Sequence, residues 1–96
     1  MSNWKNKKFY LSPTIAISEV GEEAIMLDTE TGSYFQLNQI GRFITEQLKN
    51  KNDFDMLAQM ILENFHISED VCHNDLDAFL DSLNQRDLLV VSGLND

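Results

Sequence analysis

The spacing of apolar positions changes once along this chain. Up to Leu37 they fall in short runs broken by turn formers. From Ile40 to Leu83 they recur at intervals of three and four. Phe9–Glu19 reads as one extended segment, with Tyr10, Thr14, Ile15 and Ile17 as strand formers and Pro13 limiting pairing near its start. Val20-Gly21-Glu22-Glu23 is a turn. Ala24-Ile25-Met26-Leu27 is a second strand, apolar on both faces and therefore central. Asp28–Gly32 is a second turn, with Asp28 suited to cap it and Gly32 able to take a positive φ. Ser33–Leu37 is a third strand. Three strands joined by two short turns predict an antiparallel meander.

Asn38 is a good N-cap for a helix to about Lys49, with Ile40, Phe43, Ile44 and Leu48 on one face. Asp53 caps a second helix to about Asn64, with Leu57, Met60, Ile61 and Phe65 on one face. Ser68 caps a third, to about Arg86, with Glu69 and Asp70 placed to complement its first turn. At 100° per residue, Cys72, Leu76, Phe79 and Leu83 form the centre of its apolar stripe. Leu80 lies at one margin; Val71 and Ala78 lie at the other, with Asp75 and Ser82 between them. Leu88–Ser92 is a last short strand or an apolar tail. The expected fold is α+β: a winged helix-turn-helix with an N-terminal three-stranded antiparallel sheet followed by three helices. Residues 1–8 read as a flexible N-terminus, 9–92 as one domain and 93–96 as a tail.

A helix-turn-helix outline suggests DNA, but the charge argues against it. The chain carries 7 basic and 16 acidic residues, a net charge of −9. Three of the basic residues are Lys5, Lys7 and Lys8, so the body from Phe9 onward stands at −12. The third helix and its ends hold Glu69, Asp70, Asp75, Asp77, Asp81 and Asp87 against Arg86 alone. A helix entering a groove of DNA needs donors toward phosphates and base edges, and this one offers carboxylates. No nucleic-acid partner is expected; partners with some positive charge are favoured. No apolar run nears the ~18 residues of a membrane span. The lone Cys72 permits no internal disulfide, which fits a reducing compartment. A soluble, cytoplasmic protein with no membrane partner is the expectation.

Catalytic and metal chemistry finds little support. His66, Cys72 and His73 are the only nitrogen and sulfur ligands of zinc type. Cys72 and His73 are adjacent on a helix, where their side chains diverge by ~100°. Cys72 lies in the apolar stripe, as a small buried residue would. No phosphate-binding glycine loop is present. No catalytic residue, metal or cofactor is expected.

The third strand and the third helix offer a different chemistry. If the Val71/Ala78 margin is not covered by the sheet, it forms one wall of a groove. The third strand is then the other wall, with Phe35 or Tyr34 as its floor. A guest peptide would pair with the strand backbone and drop apolar side chains into the groove, so that main-chain bonds give affinity and pockets give specificity. On this reading the N–H of Phe35 is one donor to the guest, and Asp75, Asp28 and Glu30 favour a basic residue on it. The plainer alternative is that the margin packs on the sheet.

Two segments resemble a known family. Leu27-Asp28-x-x-Thr31-Gly32-x-Tyr34-Phe35-x-Leu37-Asn38-x-x-Gly41-x-x-Ile44 is similar to the core signature of the PqqD-like family. Asp75-Leu76-x-x-Phe79-Leu80-x-x-Leu83-x-x-x-x-Leu88-Leu89 looks like its third helix and exit. Together they cover about residues 10–92. Thr45 stands where an aromatic often follows the isoleucine, and Asp87 where glycine often ends the helix. The resemblance implies a recognition element for the leader segment of a ribosomally made, post-translationally modified peptide. By carry-over, Ser33, Tyr34, Phe35, Gln36 and Leu37 are the pairing strand, and Val71, Asp75, Ala78, Phe79 and Ser82 are the helix wall. A free-standing chain of this size is most like the leader-binding protein of lasso-peptide biosynthesis, which presents the precursor to a leader-removing cysteine protease. The alternatives are a precursor-peptide chaperone for a radical-SAM enzyme, as in PQQ biosynthesis, and a protein–protein adaptor or regulator with a winged-helix fold.

Overall fold

Pro13 divides the segment expected to be one strand. In the computed structural model, which describes residues 4–92, the chain forms β1 (Lys8–Leu11) and then turns at Ser12–Thr14 into β2 (Ile15–Val20). Proline has no N–H to give a ladder, and the flanking groups bond locally. The Ile15 N–H donates to the Ser12 carbonyl at 3.1 Å, and the Ser12 and Thr14 hydroxyls meet at 2.9 Å. The two strands therefore join different sheets. After β2 come β3 (Glu23–Asp28), β4 (Tyr34–Leu37), α1 (Gln39–Gln47), β5 (Asn52–Asp53), α2 (Phe54–Asn64), α3 (Glu69–Gln85) and β6 (Leu89–Ser92).

The structure is α+β, but the expected layout is incorrect. There is no single N-terminal sheet followed by three helices: two separate three-stranded antiparallel sheets are interleaved with the helices, one ordered β5-β1-β6 and the other β2-β3-β4. The first draws its strands from both ends and the middle of the sequence, with Lys8 opposite Ser92 and Phe9 opposite both Val91 and Asn52. The second is the local meander, with Ile15 opposite Asp28 and Leu27 opposite Tyr34. Leu88–Ser92 is thus no loose tail: it feeds β6, which closes on β1.

The helices begin where capping side chains end the preceding extended chain. Asn38, Asp53 and Ser68 accept from the N–H groups of Gly41, Met56 and Val71, each satisfying a first-turn donor that has no partner within the helix. The exit of α3 is equally specific. Asp87 takes φ 58, the left-handed region usually given to glycine. The Leu88 N–H then reaches the Leu83 carbonyl at 2.9 Å, and the Asp87 N–H reaches that of Asn84 at 3.1 Å. These are the two hydrogen bonds of a Schellman turn, and they place Arg86 at the end of the last helical turn. Thr45, which replaces the expected aromatic, is fully buried and bonds its own helix through the Arg42 carbonyl.

One core spans both sheets: Phe9 of β1, Met26 of β3 and Leu37 of β4 join Ile44, Leu48, Leu57, Ile61, Leu76 and Leu80 from the helices. Trp4 belongs to it as well. Only 3% of Trp4 is exposed; its indole N–H donates to Asp81 at 2.8 Å, and its ring meets Phe9 edge-on at 5.8 Å. Within the stretch 1–8, Trp4 is buried and Lys8 begins β1, while Lys5, Asn6 and Lys7 are exposed; residues 1–3 and the expected tail 93–96 lie outside the described residues.

Candidate peptide-binding groove

β4 is an edge strand, and the hydrogen-bond phase of its sheet determines which of its backbone groups are free. Val20 and Glu23 flank a two-residue hairpin loop and so form a hydrogen-bonded pair. Stepping by two, Glu23, Ile25 and Leu27 bond β2, which leaves Ala24, Met26 and Asp28 to bond β4. The Asp28 N–H indeed donates to the Ser33 carbonyl at 2.8 Å. Phe35 and Leu37, opposite Met26 and Ala24, therefore spend their backbone groups on β3. The N–H and C=O groups of Tyr34 and Gln36 point away from the sheet. This corrects the expectation for Phe35: its N–H serves the protein's own sheet, and the donors open to a guest are those of Tyr34 and Gln36.

Side chains alternate in the complementary sense. Phe35 and Leu37 face inward toward α3; Tyr34, 71% exposed, and Gln36 face outward. The turn before β4 is set by Asp28, whose carboxylate accepts from the Glu30 N–H and the Thr31 hydroxyl, and by Gly32 at φ 77. Phe35, not Tyr34, is thus the inward residue at the foot of the groove.

Between β4 and the C-terminal half of α3 lies a groove of ≈ 440 Å³. It is lined by Tyr34, Phe35, Gln36 and Leu37 on the strand and by Phe79, Ser82, Leu83 and Arg86 on the helix, over Met26. A second depression of ≈ 360 Å³ sits between the start of α1 and the middle of α3. There Asn38, Ile40 and Gly41 face Asp75, Ala78 and Phe79. Phe79 lines both. A Cβ on Gly41 would stand 3.1 Å from the Asn38 side-chain oxygen and 3.3 Å from the Phe79 ring, so a side chain here would press on both the helix cap and the ring.

Eight of the ten sequence-predicted residues line these two cavities. Tyr34–Leu37, Phe79 and Ser82 share the larger groove, and Asp75 and Ala78 the smaller. Ser33 sits one residue before β4, and its carbonyl is taken by Asp28. Val71, 46% exposed, lines neither cavity. The buried stripe of α3 is Cys72, Leu76, Leu80 and Leu83, rotated toward Leu80 from the expected centre, and Phe79 is only half-buried. The Val71/Ala78 margin is accordingly uncovered rather than packed on the sheet.

Arg86 is a groove residue that the sequence reading does not single out. Its guanidinium lies 4.5 Å from the Phe35 ring centroid, and it donates to the Ser82 hydroxyl. Its one signal in the sequence is that it is the sole cation of the third helix; its stacking depends on a strand fifty residues earlier.

The thiol of Cys72 is buried and donates weakly to the Ala58 carbonyl at 3.5 Å. Burial, then the Asp75 and Glu69 charges, push its pKa above the ordinary thiol value, opposite to what a nucleophile requires. The unfolded chain therefore loses this proton first, and stability declines as pH rises past the ordinary thiol range. Iodoacetamide at pH 8 should leave Cys72 unmodified in the native protein and label it on unfolding in urea, with mass spectrometry as the readout. Rapid native labelling would contradict the burial. Among the described residues no cluster of three His, Cys, Asp or Glu side chains is arranged for a metal. No described helix is long and apolar enough to cross a membrane.

Comparison with known proteins gives a consistent picture. The family model described as Coenzyme PQQ synthesis protein D (PqqD) matches residues 23–89. No curated protein sequence matches the chain. Two solved structures share the fold. One is TbiB1 in complex with the TbiA(beta) leader peptide: TM-score 0.73, 24% identity, 83% of this chain and 93% of that one. The other is a lasso peptide synthetase B1 complexed with the leader peptide: TM-score 0.72, 23% identity, 85% of this chain and 96% of that one.

Proposed function

Because the chain belongs to the PqqD family, we propose that it is a non-catalytic binder of the leader segment of a ribosomally synthesised precursor peptide. The leader adds as a strand to β4, packs against α3, and is presented to a maturation enzyme, the leader-removing cysteine protease of a lasso-peptide pathway, in the cytoplasm. The observation that carries this reading is the open border of β4 beside an uncovered helix flank. The last strand, which could have occupied that border, pairs with β1 instead. The two structures of like fold are both complexes with leader peptides, which supports the same occupant here.

The magnitudes suffice. Tyr34 and Gln36 together offer four backbone groups, and four hydrogen bonds at ~0.5–1.5 kcal/mol each give roughly 2–6 kcal/mol. Two or three apolar side chains entering the cavities add ~1.5–3 kcal/mol apiece. After the costs of association and ordering, micromolar to nanomolar affinity remains.

The test is a titration with synthetic leader peptide, followed by amide chemical shifts. The largest shifts are expected at Tyr34–Leu37 and at Asp75–Arg86, with slowed exchange of the Tyr34 and Gln36 amides. Binding that perturbs only β6 or α2 would exclude strand addition at β4. Cleavage assays with the partner protease, with and without this chain, test presentation separately.

A further inference from the structure

We infer that Arg86 is a specificity determinant that reads an acidic side chain on the guest peptide, so that the groove selects a guest by the order of its charges. The inference rests on the peptide-binding reading above and deepens it.

The chain has sixteen acidic side chains for seven basic ones. Lys5, Arg42 and Lys49 pair with Asp55, Glu19 and Glu46; Lys7, Lys8 and Lys51 have no ion pair among the described residues, and none of these six lines the larger groove. Arg86 forms no ion pair among the described residues, although Asp87 follows it directly. The Schellman turn accounts for this by reversing the chain at Asp87, while the Arg86 side chain runs back along α3 to Ser82. There the guanidinium lies over Phe35 and spends one N–H on the Ser82 hydroxyl. Guanidinium has five N–H donors in a planar fork suited to a carboxylate. Stacking and one hydrogen bond hold that fork in place at the wall of the larger groove and leave the remaining donors available. A guest strand beside β4 would run past it.

At the other cavity the charge is reversed. Asp75 faces Asn38 and Gly41, and among the described residues no cation lines that site. The Arg86 guanidinium lies at the level of Ser82, seven residues from Asp75 on one helix, about 10 Å along its axis. An extended chain covers that distance in about three residues, the same interval that separates Phe35 from Asn38. The preferred guest therefore carries a carboxylate and a basic side chain about three residues apart, the carboxylate beside Phe35 and the base beside Asn38.

The experiment can be run without the natural leader. A random dodecapeptide library, displayed through the peptide C-terminus so that only side-chain carboxylates are available, is selected on the wild-type protein and on Arg86→Gln and Arg86→Glu. Folding of each variant is checked by amide spectra. Wild-type selection should enrich Asp or Glu at one position, with Lys or Arg about three residues away. Arg86→Gln should lose the acidic preference but keep the basic one, and Arg86→Glu should replace it with Lys or Arg.

A selected peptide made with glutamine for its glutamate should bind the wild type about five- to tenfold more weakly and Arg86→Gln equally well. Wild-type and Arg86→Gln selections with the same preferences overturn the inference and leave strand addition intact. So does a glutamine swap that weakens both proteins alike. A wild-type selection that yields no peptide shifting the Tyr34–Leu37 amides overturns the peptide-binding reading, and this inference with it.

Discussion

Gln36→Pro should weaken leader binding by about 10- to 100-fold and change fold stability by no more than ~1 kcal/mol. The Gln36 N–H is directed out of the sheet, so proline removes no bond from the protein's own ladder, and an edge strand accepts proline where its N–H would face solvent. For the guest the change is severe. One donor is lost, and the pyrrolidine ring stands where the added strand must approach. Phe35→Pro provides the contrast. Phe35 sits opposite Met26 in a hydrogen-bonded pair, so its replacement should destabilise the sheet itself. Urea unfolding and isothermal titration on both variants separate the two outcomes. If Gln36→Pro binds leader as the wild type does, the guest does not pair with this strand.

Trp4→Ala should lose about 3–5 kcal/mol of stability, the usual range for truncating a buried aromatic. For a domain of this size that is a large share of the total. Trp4 covers Phe9 and bonds Asp81 on α3, so it ties the start of the chain to the helix that walls the groove. A variant beginning at Phe9 should be comparably destabilised. A loss below ~1 kcal/mol in either would mean that the stretch before β1 is dispensable.

The contrast between those two sites reflects what is legible in sequence. All three helix starts are legible because a cap is a local event: Asn38, Asp53 and Ser68 each bond an N–H three residues ahead. The Asp28–Gly32 turn and the β2-β3-β4 meander are equally local. What escapes a sequence reading depends on distant pairing. Phe9–Glu19 looks continuous because its residue types suit a strand throughout; only partners more than forty residues away, Asn52 and Val91, show that its first part belongs to another sheet. Asn52–Asp53 is too short to carry a periodic signal. Trp4 reads as part of a frayed end because polar neighbours hide its packing. At the site, the strand and the helix margin follow from alternation and helical angle. The face that α3 buries is offset by one position from the predicted one, since Leu80 is chosen by the shape of the core rather than by the stripe's own centre. Arg86 and Phe35 meet only after folding.

The free backbone groups of Tyr34 and Gln36 have a further consequence for quaternary state. A border that accepts one extended chain can accept the same border of a second molecule. Each copy carries −9, and their mutual repulsion opposes that contact. Repulsion of this kind fades once ionic strength brings the Debye length to a few ångströms, while the hydrogen bonds of the edge are unaffected. At molar salt, pairing of two such borders would compete with the proposed guest, and affinities measured there would include the work of separating paired copies.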